Sequence, residues 1–523
     1  MVNINLFASF RGILSSRANS RNEAGGVAYK KTPKQALAQI VSTGCFNDTF
    51  YAKGGEQMDK VLGLCLEVEP EFIARAALYS RQKATMKDMP AFLCAVLSIR
   101  SPGLLAEIFD RVINNQKMLR NFIQIMRSGA VGRKSLGTLP KRLIQQWLEK
   151  RSAEQLFLGS VGQSPSLGDI LRMVHPKPAT KQREAFYGYL LGKPHDTGDL
   201  PGLVRSFEGF SNAPERESLS VPNVPFEMLT SLELTNSQWA QIASSASWQT
   251  TRMNLNTFMR HQVFDDPQMV DLIAGRLRDR DLIAKAKPFP YQLMMALKNT
   301  GESLPEPIVR ALHDAMEISV SSVPSMSGKV FVFPDVSGSM QSPVTGRRKG
   351  STSSARCIDV AALVAAAILR QNPTAEIIPF ENEVVQVQLD PMDSIFTNGD
   401  KLAAVGGGGT NCSAPLVHLN KRKAMGDLVV YVSDNQSWVD TRIQAGVTPT
   451  ETMKQWQIFK KRNPIARMVC IDLQAYTTTQ AEERADIIHV GGFSDQVFTL
   501  LADVASGGAE MDHWVKTIEG ISI

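Results

Sequence analysis

The residues of this 523-residue chain best suited to chemistry are oxygen donors gathered in three short strings. Asp335-Val336-Ser337-Gly338-Ser339 follows directly on the apolar run Val330-Phe331-Val332-Phe333. A strand ending in D-x-S-x-S sets one carboxylate and two hydroxyls on a single turn, facing one point beyond the strand's C-terminal end. Gly406-Gly407-Gly408-Gly409-Thr410 is a glycine-rich loop ending in a hydroxyl, and Leu428-Val429-Val430-Tyr431-Val432 is a second apolar run, closed by Ser433-Asp434. All are hard donors. A magnesium-class cation takes few carboxylates, together with neutral oxygens and waters, in octahedral geometry. Ser337, Ser339 and Thr410 are therefore expected as direct ligands, with Asp335 and Asp434 binding directly or through water. Mg²⁺ is the expected ion, and Ca²⁺ or Mn²⁺ suits the same donors. Because uncharged hydroxyls dominate, such an ion keeps net positive charge and an open position that a partner's carboxylate or phosphate can complete.

Taken singly, each string has a plainer reading. Ser339 precedes a helix-compatible stretch, and Ser and Asp are preferred helix caps. The glycine loop lacks the lysine of a phosphate-binding G-x-x-x-x-G-K-[ST] motif, and Asp434 alone reads as a surface acid. Their shared order, each after or between apolar runs, favours the cation. Catalysis is disfavoured: Ser337 and Ser339 do not sit in a G-x-S-x-G elbow. No histidine follows close by with an orienting acid, although His418 and His489 exist. Two-metal hydrolysis needs more carboxylates than Asp335 and Asp434. The chain reads as a binding protein and not an enzyme.

The elements that must hold these donors begin at about Ser327. Strands are expected at Val330–Phe333, Glu376–Phe380, Leu428–Val432, Met468–Leu473 and Ile487–Val490, alternating with helices at 356–371, 451–462 and 494–505. Near-continuous apolar strands alternating with helices imply a parallel sheet covered on both faces. Ligands in such sheets sit at the carboxyl ends of strands, beside a topological switch point. Before about residue 320 the pattern is helical throughout. Residues 56–82 place Met58, Val61, Leu62, Cys65 and Leu66, then Phe72, Ile73, Ala76 and Ala77, at helical spacing, with a break at Glu69-Pro70. Repeated helix pairs suggest an α-solenoid of the HEAT or armadillo type, about seven pairs at ~40–47 residues each. The division expected is 1–325, helical, and 326–523, α/β.

Composition is that of a globular chain, 43% apolar and 21% charged. No apolar stretch reaches the roughly 18–20 residues that span a bilayer, and Met1 to Arg11 makes a poor signal peptide. Cys45, Cys65, Cys94, Cys357, Cys412 and Cys470 form no C-x-x-C pair and read as small buried residues in a reducing compartment, so the cytoplasm is expected. Charge is uneven. Lys and Arg exceed Asp and Glu by 39 to 30 over residues 1–325, whereas 326–523 carry 18 against 21. Residues 111–151 hold ten basic side chains against the single acid Glu149. That concentration exceeds an ordinary solvated helix face and attracts phosphate backbones.

The oxygen-donor strings together resemble the metal-ion-dependent adhesion site of a von Willebrand factor A domain. A helical solenoid fused to such a domain resembles the Ro autoantigen family, which joins a TROVE module to an A domain. Further strings carry the resemblance: Asn22-Glu23-Ala24-Gly25-Gly26-Val27-Ala28-Tyr29; Arg127-Ser128-Gly129 with Gly132-Arg133; and Leu171-Arg172-Met173-Val174-His175-Pro176-Lys177-Pro178. Within the A domain they are Ala355-Arg356-Cys357 to Leu369, Gly408-Gly409-Thr410-Asn411-Cys412-Ser413-Ala414-Pro415 and Ser433-Asp434-Asn435. The resemblance implies a solenoid closed into a ring, with a Y RNA bound on its outer basic face. Single-stranded 3′ ends of misfolded RNAs would enter the cavity. It also implies a monomer within a ribonucleoprotein serving RNA quality control, processing and stress response, with a 3′-to-5′ exoribonuclease such as polynucleotide phosphorylase as partner.

Carried over residue by residue, His175 is a Y-RNA contact with Arg172 and Lys177 beside it, and Arg127, Arg133, Lys134, Lys141 and Arg142 belong to the basic surface. The family's basic residues just upstream of the histidine are missing from Leu158-Gly159-Ser160-Val161-Gly162-Gln163, and Lys181 and Arg183 are the substitutes expected. Phe186 and Tyr187 beside them read first as core. The plain alternative for His175 is a helix-terminal histidine satisfied locally. The rival function is a metal-dependent adhesion scaffold without RNA, which has no need of the basic 111–151 stretch.

Overall fold

The computed structural model describes residues 15–523 apart from 44–45, 48–52, 163, 287, 289, 301–303, 321–322, 324, 348–354, 440–444, 447, 475, 493–494 and 506–511. Cys45, Gln163 and the Met1–Arg11 segment lie outside the described residues. Two compact units result, one of residues 1–72, 287–295 and 316–522, the other of 73–286 and 296–315.

The first unit contains β1 (Ser20–Arg21), β2 (Val27–Lys30), β3 (Val330–Pro334), β4 (Glu376–Ile377), β5 (Leu428–Ser433), β6 (Arg467–Asp472), β7 (Thr478–Thr479) and β8 (Ile487–Gly491). Five of these form a parallel sheet in the order β4-β3-β5-β6-β8. Every residue of β3, β5 and β8 is buried, because helices cover both faces and an alternating pattern would strand polar groups in the core. One cover is the Cys357–Gln371 helix, buried from Cys357 to Leu369 and rich in alanine, which lets it lie close to the sheet. On another face Phe331, Phe333, Tyr431, Trp456, Phe459 and Met468 form one core with Val27 and Tyr29 from the far N-terminus.

That N-terminal contribution is a correction to the reading of residues 1–320 as helical throughout. Residues 20–30 form a short hairpin, and β2 pairs antiparallel with β7 through Tyr29↔Thr479 and Lys30↔Thr478. Three apolar residues are too few to show a period, and their partner strand lies far along the chain. The Pro33–Thr43 helix continues this packing. A Cβ on Gly491 of β8 would lie 2.8 Å from the Gln39 carbonyl oxygen, and Trp514 Nε1 donates to Ala38 O at 3.2 Å. Compactness and the change of pattern near Ser327 thus mark different boundaries, because the first seventy residues pack with the sheet.

The second unit is helical among its described residues. Gly54–Glu67 still belongs to the first unit, and the separate Pro70–Gln82 helix, opened by Pro70, leads into the second. The Asp88–Arg100 helix, buried from Met89 to Ser98, packs on Pro102–Val112 and Gln116–Ser128, with Phe109 and Phe122 edge to face at 5.3 Å. Thr138–Glu149 meets Pro102–Val112 and Leu167–Val174, and the last meets Lys181–Leu191. This neighbour-to-neighbour contact is the pattern of stacked helices. Side chains of Asn115, Ser152, Ser166, Thr180, Thr235 and Ser247 cap helix N-termini, each accepting from a first-turn backbone N–H.

Candidate functional site

In the parallel sheet β3 lies between β4 and β5, so the chain leaves β3 and β5 toward opposite sides and opens a crevice at their carboxyl ends. The three oxygen-donor strings meet there. Asp335 N donates to Val432 O at 3.0 Å, which locks the end of β3 to β5. The glycine loop is zipped onto the 335–339 turn by Gly338 N to Gly408 O at 2.8 Å and Gly407 N to Val336 O at 2.9 Å. Gly406 has φ +86°, and a Cβ there would lie 2.1 Å from the Val336 carbonyl oxygen, so only glycine permits this approach. The loop delivers Thr410 Oγ1, which donates to Ser337 Oγ at 2.8 Å; Ser337 Oγ is 3.2 Å from Ser339 Oγ.

Both acids are buried, Asp335 at 0% and Asp434 at 1% exposure. Asp335 accepts Ser337 N at 2.9 Å on one oxygen and Ser433 Oγ at 2.5 Å on the other. Asp434 Oδ1 accepts Gln436 N at 3.2 Å, while its Oδ2 is buried with no hydrogen-bond partner. Burial raises the Asp335 carboxyl above its usual range against the pull of those hydrogen bonds, and burial together with the Asp335 charge pushes Asp434 up to about 7. Two buried carboxylates, one with an orphaned oxygen, beside three converging hydroxyls fit a divalent cation, which would supply the missing charge and the missing bond. Among the described residues no group of three or more His, Cys, Asp or Glu side chains is placed to hold a metal ion; this site is rich in hydroxyls.

Sequence reasoning missed several supports. Ser433 is the hydroxyl that orients Asp335. Asn435 takes the left-handed conformation at φ +62°, and its amide donates to Asp472 Oδ1 at 3.2 Å and Thr479 Oγ1 at 2.7 Å. Its place beside Asp434, and the tolerance of Asn for that backbone region, were the available signals. Lys31 forms a buried ion pair with Asp472 at 2.8 Å, both side chains 3% exposed. His489 is spoken for by Ala481 O at 3.0 Å and Thr479 Oγ1 at 3.4 Å, and burial pulls it down to about 4. Cys412 is fully buried and its thiol pushed well up by burial and the two nearby acids, which leaves it unreactive.

The basic surface belongs to the second unit. Of the ten cations in 111–151, Arg120 donates to Val161 O, Lys150 pairs with Asp110, and Arg151 lies 3.5 Å from the Trp147 ring centroid and donates to Trp147 O. Lys117, Arg127, Lys134, Lys141 and Arg142 are exposed, and none bonds to a described protein group. Arg133 is half-buried, its guanidinium against Gly137. The Thr138–Glu149 helix is tied to the end of Leu167–Val174 by Gln145 Nε2 donating to Val174 O at 2.6 Å. Lys141 lies one helical turn before Gln145 and so on the same face of its helix.

His175 caps its helix in the left-handed conformation (φ +48°, ψ +58°), its backbone N–H bonded to Leu171 O and its ring exposed without a partner among the described residues. The imidazole is therefore not satisfied locally. Lys177 and Lys181 are exposed and unpaired as well. Arg172 is exposed and paired with Asp169 at 3.0 Å. Arg183 is drawn into the fold, donating to Arg151 O and lying 5.7 Å from the Tyr187 ring centroid. Phe186 and Tyr187 are core.

A five-stranded parallel sheet with hydroxyl-rich loops at its switch point is the architecture of a von Willebrand factor A domain. Residues 329–505 match the family model described as the Ro60 vWA domain. Along nearly its full length the chain is also similar to the RNA-binding protein RO60 of Deinococcus radiodurans, 23% identical over 93% of this chain and 95% of that one. The crystal structure of the Deinococcus radiodurans RO (RSR) protein matches with a TM-score of 0.59 at 19% identity, covering 91% of this chain and 100% of that one. Among the described residues no helix is long and apolar enough to cross a membrane.

Proposed function

We propose that this chain is a non-catalytic RNA-binding protein of the Ro type. On this reading it holds a Y RNA on the basic face of the helical unit and takes single-stranded 3′ ends of misfolded or structured RNAs in the ring cavity that the family resemblance implies. It would work as a monomer in a cytoplasmic ribonucleoprotein, in RNA quality control alongside a 3′-to-5′ exoribonuclease such as polynucleotide phosphorylase. The observation that carries the reading is the set of exposed cations unpaired among the described residues, Lys117, Arg127, Lys134, Lys141, Arg142, Lys177 and Lys181, with the His175 ring held clear of the fold. Unpaired surface cations contribute little to stability but release counterions when they meet phosphates. A scaffold that only grips proteins has no use for them. His175→Ser should weaken Y-RNA binding about tenfold, in the range of one lost directed contact, while capture of unstructured 3′ tails stays within a factor of two to three. Gel-shift titrations of both RNAs on one preparation, with a melting curve, check this; equal losses for both would place His175 elsewhere in the account.

The A domain would hold one Mg²⁺-class ion on Ser337, Ser339 and Thr410, with Asp335 and Asp434 bound directly or through water. The ion would offer an open position to a partner's carboxylate or phosphate. Asp335→Ala is expected to abolish stoichiometric Mg²⁺ or Mn²⁺ binding in calorimetry and leave RNA affinity within a factor of two to three. Retained metal, or lost RNA at matched stability, contradicts the separation of the two sites.

A further inference from the structure

We infer that the N-terminal hairpin at Asn22–Gly26 is a positioning element of the metal centre; this rests on the metal reading above. The turn is closed by its own asparagine: Asn22 Oδ1 accepts from Gly26 N at 2.8 Å, and Asn22 N donates to Gly26 O at 2.9 Å. The other end of the same amide reaches the loop that carries Asp434. Asn22 Nδ2 donates to Ser437 O at 2.6 Å, and Glu23 N donates to Gln436 Oε1 at 2.8 Å. Gly26 lies so close that a Cβ there would sit 2.3 Å from the Ser437 carbonyl oxygen. Asn22 is 7% exposed, so its amide has no water to fall back on.

The clamped residues lead directly to the ligands. Gln436 N is the donor to Asp434 Oδ1. Ser437 Oγ and Trp438 N both donate to Thr410 O, at 3.3 and 3.2 Å. The hairpin is thus one residue removed from the hydrogen bond that orients one acid, and two hydrogen bonds from the backbone of one hydroxyl ligand. A second grip comes from the residue that follows β7: Gln480 N donates to Asn435 Oδ1 at 3.3 Å, and Gln480 Nε2 donates to Val27 O at 3.3 Å. Without the hairpin, the 435–438 segment would lose contacts from both ends while β3 and the glycine loop kept theirs.

The test uses the full chain with Asn22→Asp, which keeps the acceptor that closes the turn and removes the donor to Ser437, and Gly26→Ala, which wedges the hairpin off the loop. Lys60→Ala is the control, since it removes the half-exposed Lys60–Glu23 ion pair without touching the loop. Each protein is titrated with Mn²⁺ by calorimetry and followed by amide hydrogen exchange at residues 434–439. Both hairpin variants are expected to bind Mn²⁺ about tenfold more weakly and to exchange faster at 436–438, with β3 and β5 as protected as in the parent. The control is expected to match the parent in both. Unchanged exchange and affinity in both hairpin variants overturn the positioning role. If the parent itself binds no Mn²⁺ while exchange still rises in the variants, the positioning stands and the metal reading falls. Faster exchange spread over β3 and β5 in both variants overturns the proposal by showing a general folding role.

Discussion

Reversing Arg127, Lys134, Lys141 and Arg142 to glutamate should lower RNA affinity by two to three orders of magnitude at 0.1 M salt, whatever the RNA sequence. All four side chains are exposed and unpaired, so their charge is available to phosphates and their loss should leave the fold intact. Each phosphate contact to a single strand contributes about −0.7 to the slope of log K against log salt, so four lost contacts flatten it by about 2.8. Between a 1 M reference, where this contribution vanishes, and 0.1 M salt, that amounts to roughly 600-fold. Arg120, Lys150 and Arg151 are poor choices for the same experiment, because each already serves a carbonyl, a carboxylate or a ring within the fold. An unchanged slope in the quadruple variant would remove this face from the interface.

Replacing Lys31 with methionine should destabilise the A-domain unit by about 3–5 kcal/mol, the cost of leaving a buried carboxylate without its partner. Lys31 and Asp472 are each 3% exposed and 2.8 Å apart, and among the described residues the Asp472 carboxylate retains only the Asn435 amide once the ammonium is gone. Lys31→Met combined with Asp472→Leu removes both charges and should recover most of the loss, since a buried ion pair and an apolar pair of similar volume are often close in stability. Thermal melts of the two variants separate these outcomes, the single variant melting roughly 10 °C below the parent. If the double variant melts as low as the single, the pair matters for its shape and not for its charge balance.

Much of the proposed metal site was legible because its candidate donors are local. Asp335, Ser337 and Ser339 sit within five residues after an unbroken apolar strand, and the glycines before Thr410 announce a backbone that must pass close to another. The parallel strands were legible for the same reason, although β4 covers only Glu376–Ile377 where a run to Phe380 was expected. Phe380 instead joins by isolated bridges to Asp335 and Val384. What stayed hidden was non-local. Nothing near Asn22 shows that it will meet Ser437, and nothing near Lys31 shows that it will be buried on Asp472, because both contacts need the chain to close over more than four hundred residues. The basic stretch was legible as composition but not as surface. Ten cations in one segment looked equivalent until Arg120, Lys150 and Arg151 proved to be bound within the fold and His175 proved to be held outside it.

The most direct test of the central claim is ultraviolet crosslinking of the full chain to a bound Y RNA, followed by mass spectrometry of the adducted peptides. Nucleotide adducts are expected in peptides covering 116–151 and 171–183, with the 335–339 and 406–410 loops free of them. Adducts confined to the A domain, or no adducts under low-salt conditions that retain RNA on a control binder, would contradict it.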